Sequence, residues 1–227
     1  MAMKLFNNLK CGYFMLVLIS GMFSLLCIEC NSQEKVIDPK QLCFEFYKLN
    51  KEITFGDLYY MVIPGARQYS EYDSKKNEIT IIPVYINIKD TINNTHINLP
   101  VFKDGADKTE QERFFARCRV PDIEYLIRKY NLNSFATVSE FYVKEVNSIY
   151  SQYNRIKVPK ILHQTRIPIE GNGNYIEFIL YKNDDKKIKY SCYYVRDTIF
   201  SNDNLKNYFK TLPQFDEHWY YKIAPNK

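Results

Sequence analysis

Apolar residues in this chain recur first at helical spacing, then in alternation, then at helical spacing again, and finally in alternation. From Pro39 to Leu49, residues Leu42, Phe46 and Leu49 share one helical face with Cys43, and Asp38 before Pro39 supplies a cap and a first-turn proline. The stretch Ile53–Ile63 is apolar and aromatic, reads as either a strand or a helical turn, and stops at Pro64-Gly65. Ile79–Ile88 (ITIIPVYINI) alternates through Ile82, Val84, Ile86 and Ile88, the period of a strand with one inward face. Pro83 lacks a ladder donor and argues for an edge position or a bulge. Asp90–Asn94 reads as a turn, and His96–Phe102 repeats the alternation with Ile97, Leu99 and Val101, completing a hairpin.

A helical block follows. Thr109-Glu110-Gln111-Glu112 has the form of a capping box, and Arg117 and Arg119 suit the end of that helix, where the dipole favours cations. Pro121–Tyr130 restarts it with acids early and bases late. Thr137-Val138-Ser139-Glu140 is a second capping-box pattern, followed by an apolar stripe of Val138, Phe141, Tyr142, Val146, Ile149, Tyr150 and Tyr153. The chain then returns to strands. Lys160–Ile169 is one candidate, and Gly171–Asn174 is a turn. Tyr175–Tyr181 and Ile188–Val195 form a hairpin around Asn183–Lys186. Asn202–Leu212 reads as a short helix ended by Pro213, and His218–Ile223 as a final edge strand. Strands, then helices, then strands predict an α+β fold: one domain over residues 33–227, with a mainly antiparallel sheet, two hairpins and a central helical block.

Residues 1–32 have a different character. Cys11–Ile28 is an uncharged apolar run of 18 residues, preceded by Lys4 and Lys10 and followed by Glu29. A basic start, an apolar core and a polar continuation read as an export helix, either a signal peptide or a membrane anchor. Small residues near Ser32 permit cleavage there. Cys30, or alternatively Cys27, is a candidate for lipid attachment, with Asn31–Lys35 as a polar tether. Each fate places the following domain outside the cytoplasm, in the periplasm, at the cell envelope or beyond.

Composition narrows the picture. About 195 residues beyond the export segment suffice for one core, and the chain is rich in aromatics, with 20 Tyr and 15 Phe. Its net charge of +5 is dispersed, with acids beside the basic runs, so no basic face suited to nucleic acid is expected. Cys43, Cys118 and Cys192 are disulfide candidates in an oxidising compartment, and spacing alone leaves all three pairings open. Beyond the export segment no CxxC spacing suggests a metal site, HExxH is absent, and no cofactor fingerprint occurs, so no cofactor is expected.

Catalytic patterns are weak. Cys118 between Arg117 and Arg119 is the most nucleophile-like group, because flanking cations lower a thiol's pKa, and His163 is its only imaginable base. Trp219-Tyr220-Tyr221 is the candidate partner-binding segment, since Trp and Tyr bury much area at small entropic cost. These features point to an exported, non-enzymatic binding module that recognises another protein, of the lipoprotein, inhibitor or toxin-immunity type. An exported hydrolase and a surface adhesin or structural lipoprotein are the alternatives.

Overall fold

In the computed structural model, which describes residues 38–63, 68–83, 85–103, 105–196 and 202–225, helix α1 (Pro39–Asn50) begins where the proline places it. Asp38 accepts from Lys40 N at 3.0 Å, satisfying an amide that the first turn leaves free. The inward face is Leu42, Cys43, Phe46 and Asn50, whereas Leu49 turns outward. Asn50 takes the expected place of Leu49 because its amide fastens the helix end: Nδ2 donates to Phe46 O and Lys157 O, and Oδ1 accepts from Lys157 N, each at 2.8 Å. The expected export helix of residues 1–32, with Cys27 and Cys30, lies outside the described residues. No helix among those described is long and apolar enough to cross a membrane.

The ambiguous stretch after α1 resolves into a 3-10 turn (Gly56–Tyr60) leading to the short strand β1 (Met61–Ile63). Strands β2 (Gln68–Asp73) and β3 (Glu78–Pro83) pair antiparallel in a sheet of their own. The predicted continuous strand Ile79–Ile88 is therefore two strands. The break falls at Pro83, the residue without an amide donor, and β4 (Tyr85–Asp90) continues in a different sheet. β4 pairs with β5 (Thr95–Pro100) in the register Ile88↔Ile97 and Ile86↔Leu99, so the alternating apolar residues all face the core.

Helices α2 (Lys108–Phe115), α3 (Val120–Tyr130) and α4 (Val138–Asn154) form the central block. Neither predicted capping box caps its helix. Asp107, two residues before Thr109, accepts from Glu110 N at 2.8 Å. Thr137 is already helical (φ −98°, ψ −2°), because the 3-10 turn Phe135–Thr137 runs straight into α4 and donates Val138 N–H to Phe135 O. The predicted stripe on α4 is buried except for Phe141, whose ring tilts onto Tyr130 at 4.7 Å.

Lys160–Ile169 is mostly not a strand. A 3-10 turn (Lys160–Leu162) ends on His163 in the left-handed region (φ 50°), and only Ile169 enters β6 (Ile169–Gly171). β7 (Tyr175–Asn183), β8 (Ile188–Val195) and β9 (Trp219–Pro225) follow, with helix α5 (Asp203–Lys210) between β8 and β9. The main sheet has seven strands in the order β5-β4-β1-β6-β7-β8-β9, with every pair antiparallel. The domain is α+β, and α1 lies directly over β8 and β9.

Three hairpins share one turn design. The four-residue turns after Asp73, Asp90 and Asn183 each end on a left-handed residue: Asn77, Asn94 and Lys187. The entering side chain accepts from a turn amide, Lys75 N at 2.9 Å, Ile92 N at 3.1 Å and Lys186 N at 2.8 Å respectively.

Both outer edges of the sheet are covered. On β5, Asn98 N donates to Asp122 Oδ1 at 2.9 Å, Arg119 Nη2 to His96 O at 2.8 Å, and the Tyr142 hydroxyl to Pro100 O. On β9, the segment Pro213–Phe215 lies alongside: Phe215 N donates to Trp219 O at 2.8 Å and Tyr221 N to Pro213 O at 3.0 Å. Filling the edge with fixed partners limits uncontrolled strand pairing. That second cover ends before Ile223, which is exposed.

Candidate functional site

β9 separates the three aromatic residues expected at a binding face. Trp219 and Tyr221 point to the α1 side, and Tyr220 to the α5 side. Trp219 is 1% exposed and is a core residue, not a surface anchor. Its ring stacks on Phe178 at 5.6 Å and meets Phe55 at 5.7 Å and Tyr194 at 5.1 Å edge-on. Tyr220 is also buried, against Phe209 of α5 at 5.1 Å. A three-residue strand end cannot present all three rings together, because neighbours on a strand face opposite ways.

Tyr221 is half-buried and has different company. It stacks on Phe215 at 4.7 Å with 19° between planes, and Phe215 stacks on Tyr47 of α1 at 4.9 Å and 18°. Phe44, 37% exposed, tilts onto Phe215 at 5.8 Å, and the Lys48 ammonium sits 4.6 Å from the Phe44 ring centre. The result is a column of three stacked rings with a fourth leaning on it, open to solvent along one side. Two charged groups lie beside the rings: the Lys48 ammonium at Phe44 and the Asp216 carboxylate at Tyr47. The Asp216 carboxylate accepts from His218 N and Trp219 N, both at 2.9 Å, which fixes the loop carrying Phe215. Burial, then the Asp216 carboxylate beside it, hold the Tyr47 hydroxyl above its ordinary pKa. Phe44, Tyr47 and Phe215 carry no pattern in the sequence: Phe44 lies off the helical stripe and Phe215 in an aperiodic loop, so aromatic character was their only signal.

A cleft of about 260 Å³ lies elsewhere, lined among others by Tyr60, Asp90, Ile92, Tyr125, Arg128 and Lys129. Two of its cations are matched. Arg128 Nη2 is 2.5 Å from Asp90 Oδ2, and Lys129 Nζ is 2.7 Å from Oε1 of the buried Glu145. Glu145 also accepts from Tyr130 at 2.5 Å. Lys89, a third cation of the lining, is exposed.

Asp90 reports on this cleft. Burial pushes its carboxyl upward, but hydrogen bonds from Asn93 and Ile92 and the Arg128 charge outweigh it, and the pKa lies below its ordinary 3.8. A depressed carboxylate contributes stability above its unfolded pKa and loses it as pH falls through the folded value. Between about pH 5 and about pH 2, Asp90→Asn should lose less stability than the wild type, measured by urea unfolding across that range. Equal losses in the two proteins would contradict the assignment.

Other candidate groups stand apart. Cys118 is half-buried, and burial, with the Asp122 carboxylate behind it, pushes its thiol up to about 12. This reverses the expectation from Arg117 and Arg119 and leaves little nucleophilic thiolate at neutral pH. Among the described residues no contact joins Cys118 to His163, whose carbonyl accepts from Ile79 N. His218 Nδ1 lies 2.9 Å from Val195 O, and no described group of His, Cys, Asp and Glu side chains could hold a metal ion. Cys43 and Cys192 are both fully buried, and Cys192 Sγ lies 3.6 Å from Cys43 O. No protein-family model, curated protein or solved structure matches the chain.

Proposed function

We propose that this chain is an exported, non-enzymatic binding module that docks another protein on the Phe44–Tyr47–Phe215–Tyr221 face. The carrying observation is the partly exposed column of stacked rings, with the Lys48 ammonium at Phe44 and the Asp216 carboxylate beside Tyr47. Rigid aromatic rings already ordered by stacking lose little entropy on binding, and such residues dominate binding energy in protein contacts. The partner is a folded protein with an apolar knob flanked by charge, the role of an inhibitor or a toxin-immunity protein. The apolar run Cys11–Ile28 supports delivery beyond the cytoplasm, with Cys30 or Cys27 as a lipid attachment point.

The test is site-specific photocrosslinking in the native host. A photoreactive residue replaces Phe44 in one strain and exposed Val120, on α3, in another. One dominant protein adduct at position 44 and none at 120 is the expected result. The same adducts at both positions, or none at 44, would overturn the reading.

A further inference from the structure

We infer that Cys43 and Cys192 are a disulfide pair that staples helix α1 to strand β8 beneath the aromatic column, with Cys118 left as the free thiol. Cys43 sits on the inward face of α1, and Cys192 points up from the sheet against it, with Sγ 3.6 Å from the Cys43 carbonyl oxygen. Both are fully buried. In the sheet, Cys192 lies between Phe178 of β7 and Tyr221 of β9. One turn along α1, Phe46 meets Phe178 and Tyr47 stacks on Phe215. A covalent link here fixes the spacing between the helix carrying Phe44 and Tyr47 and the strand beside Tyr221. It would therefore preorganise the proposed docking face. Cys118 lies near Asp122 and Tyr142, in the region where α2 and α3 meet.

The chemistry balances by thiol–disulfide exchange. One thiolate attacks a small-molecule or protein disulfide oxidant, forming a mixed disulfide and releasing one thiol. The second thiolate displaces the remaining oxidant sulfur, which leaves as a second thiol. Two cysteine thiols are oxidised, and one oxidant disulfide is reduced. In the folded chain, burial and the neighbouring Cys43 hold the Cys192 thiol well above its ordinary range. Exchange therefore belongs to the folding stage, before α1 closes over the sheet, and the finished bond is shielded from external thiols.

In the cell the bond needs the oxidising compartment of the proposed function, but the pairing itself can be tested without it. The full-length chain is unfolded with reductant, refolded in a glutathione redox buffer, alkylated under denaturing conditions and mapped by peptide mass spectrometry. A Cys43–Cys192 linked peptide with alkylated Cys118 is expected. Alkylation of all three cysteines, or a bond involving Cys118, overturns the pairing. As a second readout, omitting the oxidant should lower Tm by roughly 10 °C in wild type and leave the Cys43→Ala/Cys192→Ala double variant unchanged. Equal shifts in both would contradict the staple. A failed export reading would not alter either result.

Discussion

Trp219→Ala should lower the unfolding free energy by about 4 kcal/mol, read by chemical denaturation. Trp219 is the largest fully buried side chain and the meeting point of α1, the turn before β1 and three strands. Five rings surround it: Phe46, Tyr47, Phe55, Phe178 and Tyr194. They come from separate elements, so the cavity cannot close without moving the helix off the sheet. Trp219→Phe provides the contrast. The indole N–H has no hydrogen-bond partner among the described residues. Phenylalanine removes that unpaired donor together with some volume, so the two changes partly offset and the loss should be about 1 kcal/mol. Equal losses for the two variants would mean that Trp219 is not enclosed as described.

The second large effect concerns Asp122. Its carboxylate is fully buried and accepts from Arg119 N at 2.7 Å, Asn98 N at 2.9 Å and the Arg119 guanidinium at 3.0 and 3.2 Å. One side chain thus caps α3, covers the β5 edge and neutralises Arg119. Asp122→Ala leaves two backbone amides without their acceptor, and an unmet buried donor costs about 1–3 kcal/mol. A total loss of about 3 kcal/mol is expected, with the Asn98 amide becoming exchangeable long before the sheet centre does. Asp122→Asn keeps the shape and one acceptor, so it should lose about half as much. An Asp122→Ala protein within about 1 kcal/mol of wild type, with Asn98 still protected, would show that the edge is held by other groups.

These two residues also mark what the sequence could and could not disclose. Helices α1, α3 and α4 and both long hairpins were legible because their signals are local: apolar period, a capping aspartate or a turn asparagine. Pro83 signalled disruption, yet only the structure shows that the chain changes sheets there. Asp122 read as an ordinary first-turn acid. Its larger role depends on Asn98, whose proximity is a fact of topology rather than spacing. Glu145 was hidden inside an otherwise apolar stripe on α4, and its donors Lys129 and Tyr130 come from the preceding helix. Trp219 carried the right composition for a binding anchor, but burial is decided by what α1 covers. The column joins Tyr47 of α1 to Phe215 and Tyr221 in the stretch that leads into β9, so no short window of the sequence contains it.

The proposed function requires the domain to act outside the cytoplasm, and intact mass spectrometry of the protein from fractionated native host cells tests that most directly. The expected result is recovery outside the cytosolic fraction. The mass should begin near Gln33, carry acyl chains on Cys30 or Cys27, or be that of an intact chain held in the membrane with its domain accessible from outside. A full-length, unmodified chain in the soluble cytosolic fraction would contradict the central claim.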